Sequence, residues 1–403
     1  MINIVLDIIN YILIAILIGV SATWIALIKS MLKTFNESPF LDKFEKKEHE
    51  KQKVSVILPA RNEEKFIEKC LDSLVGQDYD DYEIIAINDS SNDSTGNIMK
   101  KYSEKFSKVI FVDAKPKPDG WMGKNWACME GYKKASGNLL LFTDADTVHT
   151  NSVISLAVSH LLSLELDALT VIPRMLCLDR ITKITLPMIS TFLHTRFSAL
   201  RVNDKSKNTG YFFGSFFIIK KTTYDSVGTH EGVRQELIED GALGKKVKES
   251  GFKMRMVRGE HLIDAVWARD INTLWNALKR LMVPFYLQNA KLAVASSIGV
   301  LFLLFMPFPI FAYSVISFND TTSSLVLVVI AGIASALVYT GAILDATKGL
   351  DLGIKYALLA PIGAFVVVGG FFAGLIQAKS KTAVSWRGRT YHMKGQVQKS
   401  INV

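Results

Sequence analysis

The chain has 403 residues, of which 49% are hydrophobic, and its formal net charge is +9. The length allows a complete catalytic domain together with several membrane-spanning helices, and the positive charge favours an anionic partner: nucleic acid, a membrane surface or a phosphorylated substrate. The three cysteines, Cys70, Cys128 and Cys177, form no CxxC pair, which argues against a cysteine-zinc site and against a disulfide framework.

The N-terminal segment, residues 1–30, predicts a membrane anchor. Residues 8–28 contain no charged side chain, and roughly 20 consecutive apolar residues suffice to cross a bilayer. A cleaved signal peptide fits less well, because the apolar run is too long for a signal core and no basic residue precedes it. The basic linker 31–53 follows, and the positive-inside rule places it in the cytoplasm because of its lysines: Lys29 just before it, then Lys33, Lys43, Lys46, Lys47, Lys51 and Lys53.

Residues 54–290 predict a soluble α/β domain. Four short runs rich in strand-forming residues alternate with segments of helical spacing, at 54–58, 83–87, 109–113 and 139–143. Such alternation is typical of a mostly parallel sheet, in which nucleotide ligands bind beyond the carboxyl ends of the strands. The polar runs after these strands are therefore the first places to search for a site.

Residues 291–378 predict a second membrane region, with uncharged apolar runs at 292–318, 321–344 and 356–378. If all three runs cross, the tail 379–403 lies outside, although it has six Lys or Arg and no acidic residue. Either one run does not fully cross or the tail defies the charge rule. Two prolines at 306–311 make the first run the best candidate for a broken or re-entrant segment. The predicted location is the cell membrane, crossed several times, with a cytoplasmic catalytic domain.

The first two predicted strands each end in a polar loop. The first loop, Pro59 to Glu64, can contact a nucleotide base, and its alternative interpretation is a helix cap. The second loop carries Asp89 within a cluster of Asp, Asn and Ser, and Asp89 can accept hydrogen bonds from a ribose or base. Its alternative interpretation is a solvated turn with an N-cap.

Two carboxylates, Asp144 and Asp146, follow the fourth strand one residue apart. Like charges held so close repel, and a hard divalent cation such as Mn²⁺ or Mg²⁺ removes that cost while it binds substrate phosphates. Lys124 lies in a Gly-containing segment between the third and fourth strands, where it suits a diphosphate or is an ordinary surface lysine. Glu239 and Asp240 open a helical run, so they are either favourable helix-end charges or the general base.

Two basic segments flank the C-terminal membrane region. Arg280 predicts lipid headgroup contacts from an amphipathic helix, with a diphosphate contact as the second interpretation. Trp386, Arg387 and Arg389 either bind phosphate or anchor the tail at the interface. The aromatic run 211–213 and the amphipathic stretch 181–200 are candidates to guide an acceptor, although strand aromatics more often pack into the core.

Taken in this order, the motifs resemble glycosyltransferase family 2, whose members have the GT-A fold. The resemblance covers about 54–285, and Asn88 stands where the family often has an Asp. The resemblance implies that Ala60, Arg61 and Glu63 lie against the nucleotide, that Asp89 contacts the base, that Asp146 is the direct metal ligand with Asp144 nearer the sugar or ribose, and that Asp240 is the base of an inverting transfer.

The match weakens beyond the catalytic motifs. Membrane members often carry Q/RxxRW after the base, and here only Arg280 of that motif remains, which argues against a processive polymerase. GWMGKNWA (120–127) and WRGRTY (386–391) look like the branch with hopanoid- and carotenoid-associated glycosyltransferases and ceramide glucosyltransferase. That resemblance implies a lipid acceptor.

The expected reaction is therefore one inverting displacement. A UDP- or GDP-linked sugar is the donor, a lipid or lipid-like molecule is the acceptor, and membrane lipids are partners while nucleic acid is not. Lys124 and Arg280 are expected at the leaving diphosphate. Two alternatives remain: a nucleotidyltransferase that makes nucleotide sugars, although such enzymes usually open with a glycine-rich GxGxR loop, and a non-catalytic membrane partner subunit.

Overall fold

A computed structural model describes residues 2–45, 47, 50–380, 383–386 and 388–392 of the chain. Its strands, in chain order, are β1 (Val54–Ala60), β2 (Tyr82–Asn88), β3 (Val109–Asp113), β4 (Leu139–Phe142), β5 (Thr147–His149), β6 (Ala168–Ile172), β7 (Arg174–Cys177), β8 (Phe217–Lys220), β9 (Met254–Arg258), β10 (Ile263–Ala268), β11 (Ala383–Trp386) and β12 (Arg389–His392).

The α-helices are α1 (Ile2–Glu37), α2 (Ile67–Val75), α3 (Thr95–Lys105), α4 (Gly123–Tyr132), α5 (Val153–Ser163), α6 (Arg180–Arg196), α7 (Ala199–Asn203), α8 (Lys221–Ser226), α9 (Glu239–Glu249), α10 (Ile271–Gln288), α11 (Ala290–Val300), α12 (Pro307–Ile316), α13 (Thr322–Leu344), α14 (Ile354–Ala357) and α15 (Ala360–Ser380). A 3₁₀ turn at Glu231–Val233 and two π-helical turns, at Leu301–Phe305 and Asp345–Gly349, complete the helical structure.

The catalytic domain is built on a seven-stranded sheet in the order β3-β2-β1-β4-β8-β6-β9. The four predicted strands all occur, lie side by side and run parallel, with Val54 of β1 opposite both Tyr82 of β2 and Leu139 of β4. Strand β8 is antiparallel to β4 and to β6, so the sheet is mixed. The polar loops after β1, β2 and β4 therefore leave the sheet at one edge, as the sequence predicts.

Strand β1 is buried throughout and apolar except for Ser55, because both faces of the sheet are covered by helices. Successive side chains of a strand point to opposite faces. Val56 and Leu58 pack with residues of α2, α3 and α5, whereas Ile57 packs with residues of α4 and α9. This burial on both faces leaves the strand ends and their loops as the exposed, polar part of the sheet.

A smaller sheet lies next to the Asp144–Asp146 segment. Strand β10 is its middle strand, antiparallel to β5 and parallel to β7. Because β5 begins immediately after Asp146, this sheet connects the Asp144–Asp146 segment to the segment that leaves the α/β domain for the C-terminal apolar helices. That segment starts at Arg269, and the side chain of Asp270 caps α10 by accepting from the Thr273 N–H at 2.7 Å.

The membrane region contains three helices that are long and apolar enough to cross a bilayer: α1, α13 with its π-helical turn, and α15. Helices α11 and α12 form a further candidate that is bent by 55° between Phe305 and Pro307. The bend confirms that the first C-terminal apolar run is broken. Helix α1 continues to Glu37, through the boundary predicted at residue 30, because Met31 and Thr34 are buried against the rest of the chain.

Candidate active site

A partly buried lysine lies at the centre of the site. Lys124, in the first turn of α4, places its Nζ 2.7 Å from Asp144 Oδ1 and 2.6 Å from Glu239 Oε1. Asp144 follows β4, and Glu239 opens α9, so three separate elements meet here. Burial lowers the pKa of Lys124, but the carboxylates of Asp144, Glu239 and Asp240 outweigh it, and the pKa lies well above its ordinary value. Lys124 therefore stays charged and holds the acidic groups together.

Asp240 also lies at this centre. Among the contacts of the described residues, it forms no ion pair with Lys124. Its Oδ1 accepts from the Gly241 N–H at 2.7 Å. Burial and the neighbouring Glu239 carboxylate raise the pKa of Asp240 from 3.8 to about 7, although Lys124 acts in the opposite direction. A carboxyl group with a pKa near neutrality can take up a proton at working pH, as a general base must.

Gly214 keeps a hollow open between the charged groups. A Cβ at this position would lie 2.7 Å from Asp240 Oδ2, 2.9 Å from Lys124 Nζ and 3.1 Å from Asp144 Oδ2. Thr143 holds this segment in place, since its hydroxyl donates to the Ser215 carbonyl at 2.7 Å. The missing side chain thus leaves room for a ligand atom in front of both aspartates.

Asp146 lies beside an arginine that the sequence did not indicate. Arg269 Nη2 is 3.1 Å from Asp146 Oδ2 and also donates to Glu63 Oε2. The guanidinium stacks over the Phe66 ring, 4.5 Å from its centroid. Arg269 therefore connects the loop after β1 with the loop after β4, and balances the charge of the second aspartate of the DxD motif.

Asp89 is held by the C-terminal hairpin. Arg389 of β12 donates to both carboxylate oxygens of Asp89, at 2.5 and 2.9 Å. Tyr391 of the same strand accepts from the Gly123 N–H at 3.2 Å, directly before Lys124. Burial raises the pKa of Asp89, while Arg389 acts to lower it. Arg61 adds a second cation, because its Nη1 donates to the carbonyls of Asp89 and Ser90 at 2.6 Å each.

The other predicted donor-site residues also lie along this edge. The Ala60 carbonyl accepts from the Asp89 N–H at 2.9 Å, which joins the first two loops. Pro59 lines a small cavity together with Lys124, Thr143, Gly214 and Glu239. The carboxylates of Asp89, Asp144 and Asp240 thus lie around one region of the sheet edge, which Gly123–Lys124 and Gly214 connect. Asp146 is joined to the loop after β1 by Arg269 instead.

Some predicted contacts are placed elsewhere or are not tested. Arg280 lies within α10, and its contact with a diphosphate stays a prediction. Trp386 ends β11 and its side chain is not described, and Arg387 lies outside the described residues. Phe212 is fully buried and stacks on Phe217, so this residue of the aromatic run belongs to the core. Tyr211 is only partly buried and packs against Gly241, beside Asp240.

Three features of the site were not predicted: Arg269, Gly214 and Tyr391. The sequence carries one indication of Arg269, which is its position directly before Asp270, the residue that caps helix α10 where the chain leaves the α/β domain. Gly214 had no signal beyond its residue type. Tyr391 belongs to the WRGRTY segment, and its contact with the Gly123 backbone spans 268 positions of sequence.

The donor set fits a divalent cation. Asp144 and Asp146 supply hard oxygen ligands of the kind that Mg²⁺ and Mn²⁺ take together with substrate phosphates. The hollow at Gly214 opens onto Asp144, so a ligand can approach it. Among the described residues, however, no cluster of three or more acidic, His or Cys side chains surrounds a common point. A cation at this place would therefore have two protein ligands, Asp144 and Asp146, and would need phosphate oxygens of a bound substrate as further ligands.

Comparison with known proteins identifies the domain. Residues 55–228 match the model of glycosyl transferase family 2. The matched residues, fewer than half of the chain, are similar to the members of this family, and the chain is a glycosyltransferase. The enzyme is 26% identical over 324 residues to a Bacillus subtilis protein named "Probable glycosyltransferase YdaM", with 75% of each chain covered.

Further comparisons give one more relative in sequence and one in structure. It is 29% identical over 216 residues to the 4,4'-diaponeurosporenoate glycosyltransferase of Staphylococcus aureus. The matched residues cover 51% of this chain and 54% of that relative, so the chain spans about half of the relative's length. The fold resembles mannosyltransferase PcManGT from Pyrobaculum calidifontis, solved with GDP-Man and Mn²⁺, with a TM-score of 0.52 and 17% identity over 91% of this chain and 99% of that one. The expected GT-A fold is confirmed.

Proposed function

We propose that this glycosyltransferase moves one sugar from a UDP- or GDP-linked donor to a hydroxyl group of a lipid or lipid-like acceptor at the cytoplasmic membrane face, with inversion at the sugar carbon. The observation that carries the proposal is Asp240, a partly buried carboxylate with a pKa of about 7 that faces the same hollow as Asp144 and Lys124. A single inverting displacement needs one base on the side opposite the leaving diphosphate, and Asp240 is that base.

The other residues of the centre have separate roles. Lys124 carries a positive charge at the place where the diphosphate is expected, between Asp144 and Glu239. Glu239 orients Lys124 and, by its own charge, keeps the pKa of Asp240 high. Asp144 and Asp146 would hold Mn²⁺ or Mg²⁺. The bound cation would neutralise negative charge on the leaving diphosphate. Arg269 now balances Asp146 and would have to release it to the cation.

The donor nucleotide is assigned to the other end of the cleft. Arg61, Ala60 and Asp89 form a hydrogen-bonded layer there, and Arg389 of the tail lies on the Asp89 carboxylate. Related proteins support both partners: the mannosyltransferase from Pyrobaculum calidifontis was solved with GDP-Man, and the Staphylococcus aureus relative is a 4,4'-diaponeurosporenoate glycosyltransferase. The apolar helices that flank the domain support a lipid acceptor, since they would hold the site at a membrane surface.

A transfer assay tests the proposal. Membranes that contain the chain are incubated with radiolabelled UDP- or GDP-sugars, and we expect label in the organic-extractable lipid fraction for one of these donors. Membranes with the Asp144→Asn variant are the matched control and should leave the label in the aqueous phase. Excess EDTA should remove transfer and added Mn²⁺ or Mg²⁺ should restore it. Product of retained anomeric configuration, read by NMR, would contradict the inverting mechanism.

A further inference from the structure

Helices α1 and α13 define the two ends of the membrane region. Near the start of α1, Asn10 donates to the Ser323 hydroxyl at the start of α13, at 3.1 Å. Near the other end of α1, the Phe35 carbonyl accepts from Arg258 of the catalytic domain at 2.8 Å. The 25 residues between these contacts span about 38 Å of helix, which exceeds the roughly 30 Å thickness of a bilayer core. The Ser323 end is therefore the far end, opposite the catalytic domain.

The bent segment α11–α12 runs from the catalytic domain to that far end. It begins directly after α10. The Pro307 carbonyl accepts from Ser335, halfway along α13, at 3.0 Å. Beyond α12, the Asn319 N–H donates to Ser324 at the start of α13, at 3.1 Å. The 55° bend thus lies inside a segment that reaches the far end. Helices α11 and α12 together therefore cross from one side to the other, and they do not form a re-entrant loop.

Helix α13 returns to the catalytic domain. At its end, Asp345 is fully buried and lies 2.5 Å from His194 of α6, with a second hydrogen bond from Ser190. Six residues later, Asp351 is 3.6 Å from Arg174 of β7. The segment that leads into α14 and α15 therefore starts on the catalytic side.

Helix α15 also ends on the catalytic side. Its glycines pack closely on α6 and α10: a Cβ at Gly363 would lie 2.4 Å from the Ile184 carbonyl, and one at Gly370 or Gly374 would lie 2.7 Å from Leu278 or Met282. These contacts follow one another along α10 in the same direction, so α15 runs beside α10. At its end, Ala378 packs in one cluster with catalytic-domain residues and the tail: Met122, Leu237 and Tyr391.

We propose that α15 does not cross the bilayer but lies in the leaflet on the catalytic side, with its glycine-rich face on α6 and α10 and its exposed apolar face in the lipid. Ile362, Phe365 and Ile376 form that face, with 46%, 61% and 70% of their surface exposed. The lipid of this leaflet is the occupant, because the exposed side chains of this face are apolar and the neighbouring α1 and α13 are long and apolar enough to cross the same layer.

This placement accounts for the charge of the tail. With α1, α11–α12 and α13 crossing, and α15 not crossing, the six Lys or Arg of 379–403 lie on the same side as the basic linker. The positive-inside rule is then satisfied throughout. It also brings Arg389 to Asp89 without a further crossing. The inference does not depend on the chemistry of the site, and its test reads topology alone.

Site-directed labelling with a membrane-impermeant maleimide tests this placement in the full chain. The native cysteines Cys70, Cys128 and Cys177 are buried, so the labelling of a single added cysteine can be measured above their low background. The variants Lys355→Cys and Thr390→Cys lie just before and just after α15. Asp80→Cys, on the catalytic domain, and Asp320→Cys, on the far loop, are the matched controls, and all four positions are exposed.

We expect Lys355→Cys and Thr390→Cys to label together with Asp80→Cys in inside-out vesicles and to lose that labelling in sealed cells, where only Asp320→Cys reacts. A reporter fused after Val403 gives a second measurement: a fluorescent protein should mature, and a periplasm-dependent phosphatase should be inactive. Labelling of Thr390→Cys from the side of Asp320→Cys, or an active phosphatase fusion, overturns the proposal, because α15 would then cross.

Discussion

The centre and the rim of the cleft hold their carboxylates in different ways. At the centre, one partly buried lysine, Lys124, lies between Asp144 and Glu239, and Asp240 is left with a raised pKa. At the rim, arginines pair with the acids: Arg269 with Asp146, and Arg389 with Asp89. The lysine and Asp144 lie within the family-matched residues 55–228, whereas both arginines lie outside them.

This difference indicates a division of labour. The central charges lie close together, with Glu239 buried and the others partly buried, and they balance one another, which suits groups that act in the chemical step. The rim arginines come from the segments that flank the membrane helices, before α10 and after α15. We infer that the membrane region helps to shape the donor and metal sites, and that the rim pairs must open or rearrange when ligands bind.

The largest effect is expected from loss of the central cation. Lys124→Met should abolish transfer and should also destabilise the chain, because removing one partner of a buried ionic group costs about 3–5 kcal/mol. Thermal unfolding of the detergent-purified variant and the lipid-transfer assay measure both effects. Lys51→Met is the control, since Lys51 pairs with Asp80 on the exposed surface, and it should change neither property.

The hollow at Gly214 gives the next largest effect. Gly214→Ala places a methyl group 2.7 Å from Asp240 Oδ2 and 2.9 Å from Lys124 Nζ. We expect a loss of activity of about tenfold or more, which corresponds to 1.4 kcal/mol of transition-state stabilisation, with little change in thermal stability. Gly299→Ala on α11 is the control, because no atom lies within 4 Å of the added Cβ. Full activity of Gly214→Ala would show that no ligand enters this hollow.

At the rim, the expected effect is on donor affinity. Arg389→Ala should raise the KM for the nucleotide sugar several-fold and change kcat little, because Asp89 loses the partner that orients it. A double-mutant cycle with Asp89→Asn should show a coupling of about 0.5–3 kcal/mol in donor binding. Arg174→Ala, which breaks an equally bidentate pair with Asp264 in the small sheet, serves as the control. If the effects of the Asp89 and Arg389 changes on donor binding are additive, the tail does not contribute to the donor site through this pair.

The smallest effect is a shift in pH dependence. Asp240 has a raised pKa of about 7, so its base form is lost as pH falls through neutrality, and kcat should decline on that side. The raised pKa also affects the free energy of unfolding, because the folded chain binds the proton more tightly than the unfolded chain does. Protonation of Asp240 therefore stabilises the fold at low pH, and this contribution is lost as pH rises through 7. Glu239→Gln removes a neighbouring negative charge, so the acidic limb of the rate profile should move to lower pH. An unmoved limb would mean that another group titrates.

Much of the fold follows from local sequence. The four parallel strands and their order of loops could be predicted, because apolar runs of this length, followed by polar residues, mark buried strands and their carboxyl ends. Strand β8 was not among the predicted strands, and its antiparallel direction could not have been derived either, since periodicity carries no information on strand direction. The placement of α15 could not be derived either: its composition is that of a spanning helix, and only the contacts of Gly363 and Ala378 reveal where its ends lie.

The site shows the same limit. Asp144, Asp146, Asp240 and Lys124 could be found because each lies in a recognisable motif at a strand or helix end. Arg269 and Arg389 act through partners 123 and 300 positions away, and such pairing is set by the tertiary fold alone. Residue type also hid the function of Gly214, because its contribution is the absence of a side chain.

The Asp240→Asn variant gives the most direct test of the central claim. Asparagine keeps the shape and removes the base, and it should not cost thermal stability, since burial already disfavours the charged carboxylate at this position. The account predicts that sugar transfer falls by about 10²–10⁴-fold, while donor binding, measured by calorimetry in the presence of Mn²⁺, stays within error of the parent chain. Transfer at the parental rate would contradict it.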